Sequence, residues 1–213
     1  MKQLIIIGVG GLAREVWLYA KDSVGNGAEW IVKGFIDGDV KVQNEEYNKL
    51  EGPLLGNIDD YCISENDVFV CAIGSSKVRR RIVEFMKKKG AIFINLISNK
   101  AIVSDKAALG SGIIIAPFCF VSSDVVINDG VLLNIYTSVG HDSVLGKFSS
   151  TMVKVNITGN CVVGENTYWG SGSQALPHSK IENNAVIGAA SLVLKHVKDS
   201  DVVVGIPARS IKK

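Results

Sequence analysis

Aliphatic residues recur at nearly every sixth position along the second half of the chain, from Val103 to Val193. An α-helix cannot use this spacing, because its period of 3.6 residues turns every sixth side chain to a different face. A coil of three short strands and three tight corners does use it, since each side then points one aliphatic residue inward. Hexapeptide repeats are typical of parallel β-helices, and this stretch predicts roughly five coils of about 18 residues.

The first half of the chain follows a different pattern, in which aliphatic runs alternate with amphipathic segments. We expect strands at Leu4–Ile7, Ile31–Ile36, Val68–Ile73 and Ala91–Ile97, and helices from Arg14 to Lys21 and from Lys77 to Lys89. The polar segment 39–56 is expected to be a loop. Strands that alternate with helices indicate parallel β-α-β units. The sequence therefore predicts an α/β, Rossmann-like half domain over residues 1–98 and a β-helix domain with a C-terminal tail over residues 99–213.

A glycine-rich turn, Gly8-Val9-Gly10-Gly11-Leu12-Ala13, joins the first expected strand to the first expected helix. Glycines in this pattern let a phosphate approach the N-terminus of the helix. Asp37 ends the second strand, where a carboxylate can accept a hydrogen bond from a ribose hydroxyl. Because an α/β region of roughly 97 residues is only half of a dinucleotide-binding fold, a nucleotide sugar fits better than a nicotinamide dinucleotide. A tight turn without a ligand is the structural alternative.

His141 is the histidine that the repeat pattern singles out for chemistry. It follows Gly140 at an expected corner, two residues after the inward-pointing Val139, so its side chain should point away from the coil. Asp142 comes next, and a carboxylate beside an imidazole favours the imidazolium that a general base becomes. A solvated corner histidine is the alternative. His178 and His196 are expected to be solvated surface residues. No zinc site is expected, because His141 and His178 lie about two coils apart and His196 lies outside the regular repeat.

Composition excludes several classes of partner. The chain has 213 residues, of which 47% are hydrophobic, and a net charge of +2, which is too small to indicate nucleic acid or a membrane surface as partner. No apolar run reaches the roughly 18 residues that a membrane-spanning helix needs. The cysteines, Cys62, Cys71, Cys119 and Cys161, have no metal-ligand spacing and are expected to be small core residues. We therefore expect a cytoplasmic protein that binds no metal.

Taken together, these motifs resemble the sialic acid O-acetyltransferase family of sugar O- and N-acyltransferases, which includes bacterial enzymes that N-acetylate nucleotide-linked amino sugars. The resemblance covers both halves of the chain. It rests on the segments Gly8–Glu15, Gly34–Asp37, Ala72–Gly74, Asn134, Gly140–Asp142 and Gly205–Arg209.

This resemblance implies a left-handed parallel β-helix, a homotrimer, and acetyl-CoA as the co-substrate between two subunits. It implies His141 as general base and Asp142 as its orienting partner, with direct attack of a sugar amine or hydroxyl on the thioester. The implied nucleotide-sugar contacts are Gly10, Gly11, Leu12, Asp37, Gly38, Gly74, Lys77 and Asn134. The implied acetyl-CoA contacts are Ser150, Ser171, Ala189 and Arg209.

Two positions depart from the family pattern. The family commonly has a second histidine nine residues after the base, where this chain has Ser150, and Lys154 follows in a stretch that is usually small. A serine hydroxyl can still donate one hydrogen bond, so we retain a sugar O- or N-acetyltransferase. The alternatives are a non-catalytic acetyl-CoA- and nucleotide-sugar-binding protein, and a nucleotide-dependent oxidoreductase that uses the glycine loop.

Overall fold

A computed structural model describes residues 1–38 and 47–211. The N-terminal part is a four-stranded parallel sheet in the order β3-β2-β1-β4, with one helix packed on each face. Its elements are β1 (Lys2–Ile7), α1 (Gly11–Lys21), β2 (Trp30–Asp37), a 3₁₀ turn (Tyr47–Lys49), β3 (Leu54–Asn57), β4 (Asp67–Cys71) and α2 (Ser76–Lys88). Strand β1 is aliphatic throughout its second half because both of its faces are covered. Leu4 and Ile6 pack with the α1 side, whereas Ile5 and Ile7 pack with the α2 side.

The expected strand Ala91–Ile97 does not join this sheet. Phe93 makes a single bridge to Phe69, and only the last two residues, β5 (Leu96–Ile97), form a strand. That strand pairs with Ile114–Ile115 of the repeat region. The aliphatic run is therefore the start of the β-helix and not a fifth strand of the α/β sheet.

The segment 39–56 was expected to be a loop, and this expectation is partly wrong. Residues 54–57 form the edge strand β3, which pairs with β2. Residues 39–46 lie outside the described residues. The core assignment of the four cysteines is also wrong for one of them, because Cys62 is exposed while the other three are buried.

The repeat region forms a left-handed parallel β-helix of two-residue strands. After β5 they are β6 (Ile102–Val103), β7 (Ala108–Leu109), β8 (Ile114–Ile115), β9 (Phe120–Val121), β10 (Val126–Ile127), β11 (Leu132–Leu133), β12 (Ser138–Val139), β13 (Val144–Leu145), β14 (Ser150–Thr151), β15 (Asn156–Ile157), β16 (Val162–Val163), β17 (Tyr168–Trp169), β18 (Gln174–Ala175), β19 (Lys180–Ile181), β20 (Val186–Ile187), β21 (Leu192–Val193) and β22 (His196–Val197). A closing hairpin of β23 (Val202–Val204) and β24 (Arg209–Ser210) follows.

The strands stack into three faces. Face 1 holds every third strand from β5 to β20 and is extended by β23 and β24, face 2 runs from β6 to β21, and face 3 runs from β7 to β22. Partners in neighbouring coils lie 18 residues apart, as in Val121 with Val139, until the last coil, where Ile181 pairs with Val197. The hexapeptide register predicted from the sequence is therefore confirmed up to Val193.

The interior of the β-helix follows the predicted ladder. Every sixth residue from Ile115 to Val193 is buried. The one polar position, Thr151, is satisfied internally, because its hydroxyl lies 3.0 Å from that of Thr137 and donates to the carbonyl of Leu132. Trp169 pairs with this smaller threonine in the neighbouring coil. Threonine at this rung therefore leaves the ladder unbroken.

Candidate active site

His141 and Asp142 lie together at the corner between faces 2 and 3. The His141 Nδ1 is 2.7 Å from Asp142 Oδ2, and both side chains are more than half exposed. When Nδ1 carries the hydrogen and donates it to the carboxylate, Nε2 is left with its lone pair. The pair is thus geometrically able to remove a proton from a group approaching from solvent.

Gly159, one coil further on, forms a flat backbone surface against which the His141 ring lies. A Cβ at residue 159 would be 2.7 Å from both Cε1 and Nε2 of the imidazole. Real side chains do not approach so closely, so the ring position requires glycine here. This glycine was not predicted as a site residue, because it falls outside the six-residue pattern of small corner residues.

The same corner carries a cavity of about 640 Å³ roughly two coils beyond His141. Coils stack with the usual spacing of strands, so the cavity lies about 10 Å along the axis from His141. Its walls combine apolar side chains with several cationic or ionisable groups. The lining residues are Leu176, Pro177, His178, Lys180, Leu194, Lys195 and His196.

The glycine loop lies at the carboxyl end of β1. Gly8 has φ +111°, and its Cβ would be 3.1 Å from the carbonyl oxygen of Ala72, so glycine is needed there for the backbone itself. A Cβ at Gly10 would have no neighbour within 4 Å. Gly11 begins α1 and also faces open space apart from Arg14. Leu12 is half-buried against the core of the domain. The loop thus leaves its backbone open to a ligand.

Two other predicted loops lie at the same edge of the sheet. Asp37 and Gly38 end β2, while Gly74 and Lys77 follow β4, and β1 lies between these two strands. The carboxyl ends of adjacent parallel strands form the crevice in which such sheets bind ligands. A further cavity of about 310 Å³ adjoins Gly38 and reaches α2 at Arg81. The structure therefore brings the predicted nucleotide-binding residues of the N-terminal part together.

The remaining predicted contacts lie elsewhere on the β-helix. Asn134 is nearly buried at the corner between faces 1 and 2, where its Oδ1 accepts the N–H of Ile135. Ser171 and Ala189 stack at this corner in successive later coils. Arg209 is exposed on β24. Within one chain, Ser171 and Ala189 therefore lie on a different corner from His141.

Ser150 is not open to a ligand in this structure. Its side chain is completely buried on face 1, where Oγ accepts a 2.7 Å hydrogen bond from Arg79 and lies 3.0 Å from the hydroxyl of Ser76. Both partners belong to α2 of the N-terminal part. The predicted contact between Ser150 and acetyl-CoA would require these hydrogen bonds to break, so it is omitted from the proposed site.

Comparison with known proteins shows which family the chain belongs to. The family of the PglD N-terminal domain matches residues 3–86. GDP-perosamine N-acetyltransferase of Escherichia coli O157:H7 is 33% identical over 154 residues, which cover 68% of this chain and 68% of that protein. The chain belongs to the sugar N-acetyltransferase family.

Solved structures of similar proteins agree with this placement. The acetyltransferase domain of PglB from Neisseria gonorrhoeae FA1090, in complex with acetyl coenzyme A, has a TM-score of 0.87 and 25% identity over 99% of both chains. PerB from Caulobacter crescentus, in complex with CoA and GDP-perosamine, has a TM-score of 0.86 and 24% sequence identity. It shares the fold over 100% of this chain and 98% of the PerB chain. These matches do not single out the sialic acid O-acetyltransferases.

Arg79 is a buried residue that the sequence did not single out. It is buried, and its guanidinium donates to oxygen atoms in both parts of the chain. In the sequence it stands among other cationic residues of the expected helix from Lys77 to Lys89. The burial of Arg79 could have been inferred from its position in the helix. The buried residues of α2 are Ser76, Arg79, Val83 and Met86, and they recur at helical spacing along one face.

No helix within residues 1–38 and 47–211 is both long and apolar enough to cross a membrane. No group of three His, Cys, Asp or Glu side chains in these ranges is arranged to hold a metal ion.

Proposed function

We propose that this protein is an acetyl-CoA-dependent N-acetyltransferase whose acceptor is a nucleotide-linked amino sugar. The observation that carries the proposal is the exposed His141–Asp142 pair, 2.7 Å apart, in a chain of the sugar N-acetyltransferase family. The relative from Escherichia coli is named for acetyl transfer to GDP-perosamine. The PglB domain binds acetyl coenzyme A. N-acetylation is preferred over O-acetylation because the relative that matches 68% of the chain at 33% identity is named an N-acetyltransferase.

In the proposed reaction the acceptor amine attacks the thioester carbonyl carbon, and a C–N bond forms. His141 Nε2 accepts the proton that the amine loses, while Asp142 stabilises the imidazolium through Nδ1. The C–S bond then breaks, and the thiolate takes the proton to leave as CoA. Neither a covalent acyl-enzyme nor a metal has a role in this proposal.

The acceptor is proposed to bind along the carboxyl edge of the sheet in the N-terminal domain, residues 1–98. Gly10, Gly11 and Leu12 would approach the diphosphate and sugar. Asp37 and Gly38 would hold the nucleoside, next to the 310 Å³ cavity that Ile82 and Phe85 make partly apolar. Three further residues, Gly74, Lys77 and Asn134, would complete the acceptor site.

Acetyl-CoA is proposed to lie between two subunits of a homotrimer. The base lies at the corner between faces 2 and 3, whereas Ser171 and Ala189 stack at the corner between faces 1 and 2. One chain therefore does not bring these groups together, and a second subunit that supplies its other corner would do so. The 640 Å³ cavity near Lys195 lies at the same corner as His141, and we propose that it holds part of CoA. Arg209 would contact the same co-substrate.

The decisive experiment incubates the purified protein with acetyl-CoA and a panel of nucleotide-linked sugars that carry either an amine or only hydroxyls. We expect mass spectrometry to detect acetylation of an amino sugar. His141→Ala should lower kcat by roughly 10²–10⁴-fold, the usual value of a positioned base, and Asp142→Asn should cost less because the base itself remains.

Three outcomes would contradict the proposal in different ways. Acetylation of hydroxyls alone would make the protein an O-acetyltransferase. Tight acetyl-CoA binding without turnover on any acceptor would favour a non-catalytic binding protein. Light scattering that reports a monomer at micromolar concentration would refute the proposed acetyl-CoA site between two subunits, even if the protein were active.

A further inference from the structure

Arg79 joins the N-terminal domain to two coils of the β-helix. Its Nε donates to the carbonyl of Gly130 at 3.1 Å, and Nη2 donates to the carbonyl of Phe148 at 3.0 Å and to Ser150 Oγ at 2.7 Å. On the other side, Nη1 donates to the carbonyl of Ile73 at 2.8 Å and to that of Gly74 at 3.3 Å. A single side chain therefore ties the loop after β4 to face 1 of the β-helix.

The acceptors of Arg79 are carbonyl and hydroxyl oxygens and include no carboxylate. Burial lowers the pKa of Arg79 to about 10, so the guanidinium remains a cation at neutral pH. A buried charge without a counter-ion is costly and does not by itself argue for stability. The planar guanidinium, however, presents five donors in fixed directions. It can therefore hold several carbonyls in one relative arrangement, which the flexible ammonium of a lysine cannot do.

The contact with the loop after β4 also determines which way its amides point. In a trans peptide the C=O and the N–H of the same unit point in opposite directions. Because Arg79 holds the carbonyls of Ile73 and Gly74, the N–H groups of Gly74 and Ser75 are turned away from the β-helix. Neither N–H donates to a protein group in the described part of the chain. A Cβ at Gly74 would have no neighbour within 4 Å, so this side of the loop is open.

We propose that Arg79 is a positioning residue that holds the Gly74 and Ser75 amides toward the diphosphate of the acceptor and fixes this loop relative to the β-helix that carries His141. This inference rests on the proposed function, since it assigns the free amides to the nucleotide end of the same acceptor. Arg79 itself does not touch the substrate. Its effect is on acceptor binding and not on acetyl-CoA.

The test compares Arg79→Lys with Arg80→Lys, the same chemical change one residue apart on α2. Arg80 also links α2 to the β-helix, through a 3.0 Å ion pair with Glu165, but it does not contact Gly74. For Arg79→Lys we expect KM for the nucleotide sugar to rise about tenfold or more, as expected when donors to an ionised group are displaced. KM for acetyl-CoA should change less than about twofold. Arg80→Lys should leave both KM values unchanged.

Direct binding gives a second measurement that does not depend on turnover. Isothermal titration of GDP, UDP and CoA should give weaker binding of the preferred nucleoside diphosphate to Arg79→Lys, with the Kd of CoA unchanged. If Arg79→Lys does not fold, Ser150→Ala carries the test, because it removes one acceptor of Nη2 and should weaken nucleotide binding by a smaller factor in the same direction.

Equal losses for both ligands, or equal effects of Arg79→Lys and Arg80→Lys, would mean that Arg79 is only a structural link and would overturn the inference. Unchanged nucleotide binding in a folded Arg79→Lys or Ser150→Ala would do the same. A wild-type protein that acetylates its acceptor while these variants bind nucleotide normally would refute the positioning role but leave the proposed function intact. Failure of the wild type to bind any nucleoside diphosphate would contradict both.

Discussion

Gly159→Ala tests whether the position of the His141 ring, rather than its presence alone, is needed for activity. The ring lies on the backbone of Gly159, and an added Cβ would be 2.7 Å from Cε1 and Nε2 and 3.1 Å from Cδ2. These three ring atoms are the closest neighbours of the added methyl group. Gly159 does not have a positive φ, so alanine is compatible with its backbone conformation.

The magnitude follows from this contact. Carbon atoms in contact lie about 3.5–4.0 Å apart, so the imidazole must move by about 1 Å or rotate away from Asp142. A misplacement of about 1 Å in a reacting group can cost roughly 10²-fold in rate. Because the His141 side chain is 61% exposed, the ring can move into solvent without unpacking the core. We therefore expect kcat to fall about 10²-fold, while the free energy of unfolding changes by less than about 1 kcal/mol.

The assay is a double-mutant cycle of Gly159→Ala and His141→Ala, read out as kcat under saturating acetyl-CoA and acceptor. In the His141→Ala background there is no ring for the new methyl group to displace, so Gly159→Ala should have little further effect. Strong non-additivity of this kind is the signature of two residues that act through contact. Urea unfolding of all four proteins provides the stability control.

Two results would refute the reasoning. If Gly159→Ala keeps the wild-type kcat, the observed ring position is not the reactive one. If Gly159→Ala lowers kcat by the same factor with and without His141, the effect comes from the corner backbone and not from the imidazole.

Two further predictions concern buried polar groups. Ser150→His would put a large side chain beside the Arg79 cation in a fully buried site. We expect urea unfolding to show a destabilisation of about 1–3 kcal/mol. An increase in kcat would contradict this and would mean that residue 150 faces the thioester. Asp67→Asn should cost about 1–3 kcal/mol at pH 7, because Asp67 accepts hydrogen bonds from Lys33, Tyr61 and the N–H of Ser64. Burial raises the pKa of Asp67, but these donors outweigh it and hold the pKa below its usual value. The stabilisation is therefore present above about pH 4 and lost at lower pH, and equal differences in unfolding free energy at pH 7 and pH 3 would contradict this assignment.

The β-helix could be predicted from the sequence because its signal is local and repeated. Each coil must fill the same narrow interior, so the requirement for an inward aliphatic residue recurs at positions such as Ile157 and Val163. The corner location of His141 follows from this register alone. The polar residue Thr151 does not interrupt the register, because its hydroxyl has hydrogen-bond partners inside the coil.

The link between the α/β sheet and the β-helix could not be predicted in this way, because it depends on contacts between residues that are far apart in the sequence. Arg79 and Ser150 are 71 residues apart. A run of basic residues on a helix usually indicates a solvated face, and residue type alone does not distinguish Arg79 from its exposed neighbour Arg81. Likewise, the aliphatic run that ends at Ile97 has the composition of a sheet strand, and only its partner in the β-helix decides its place.

Backbone strain does not mark the corner that carries His141. Asp142 has φ +57°, and a positive φ at a non-glycine residue is often associated with a functional site. The same conformation recurs at the equivalent corner position of other coils, with φ +59° at Asp124, +58° at Asn160 and +63° at His178. It is therefore a property of the coil geometry, which recurs at every sixth residue from Gly112 to Ala190. What distinguishes the His141 corner is its side chains and contacts: an imidazole, an adjacent carboxylate and a glycine one coil away that leaves room for the ring. In this fold the backbone fixes where a side chain can be presented, and the residues at one corner decide whether that place can perform chemistry.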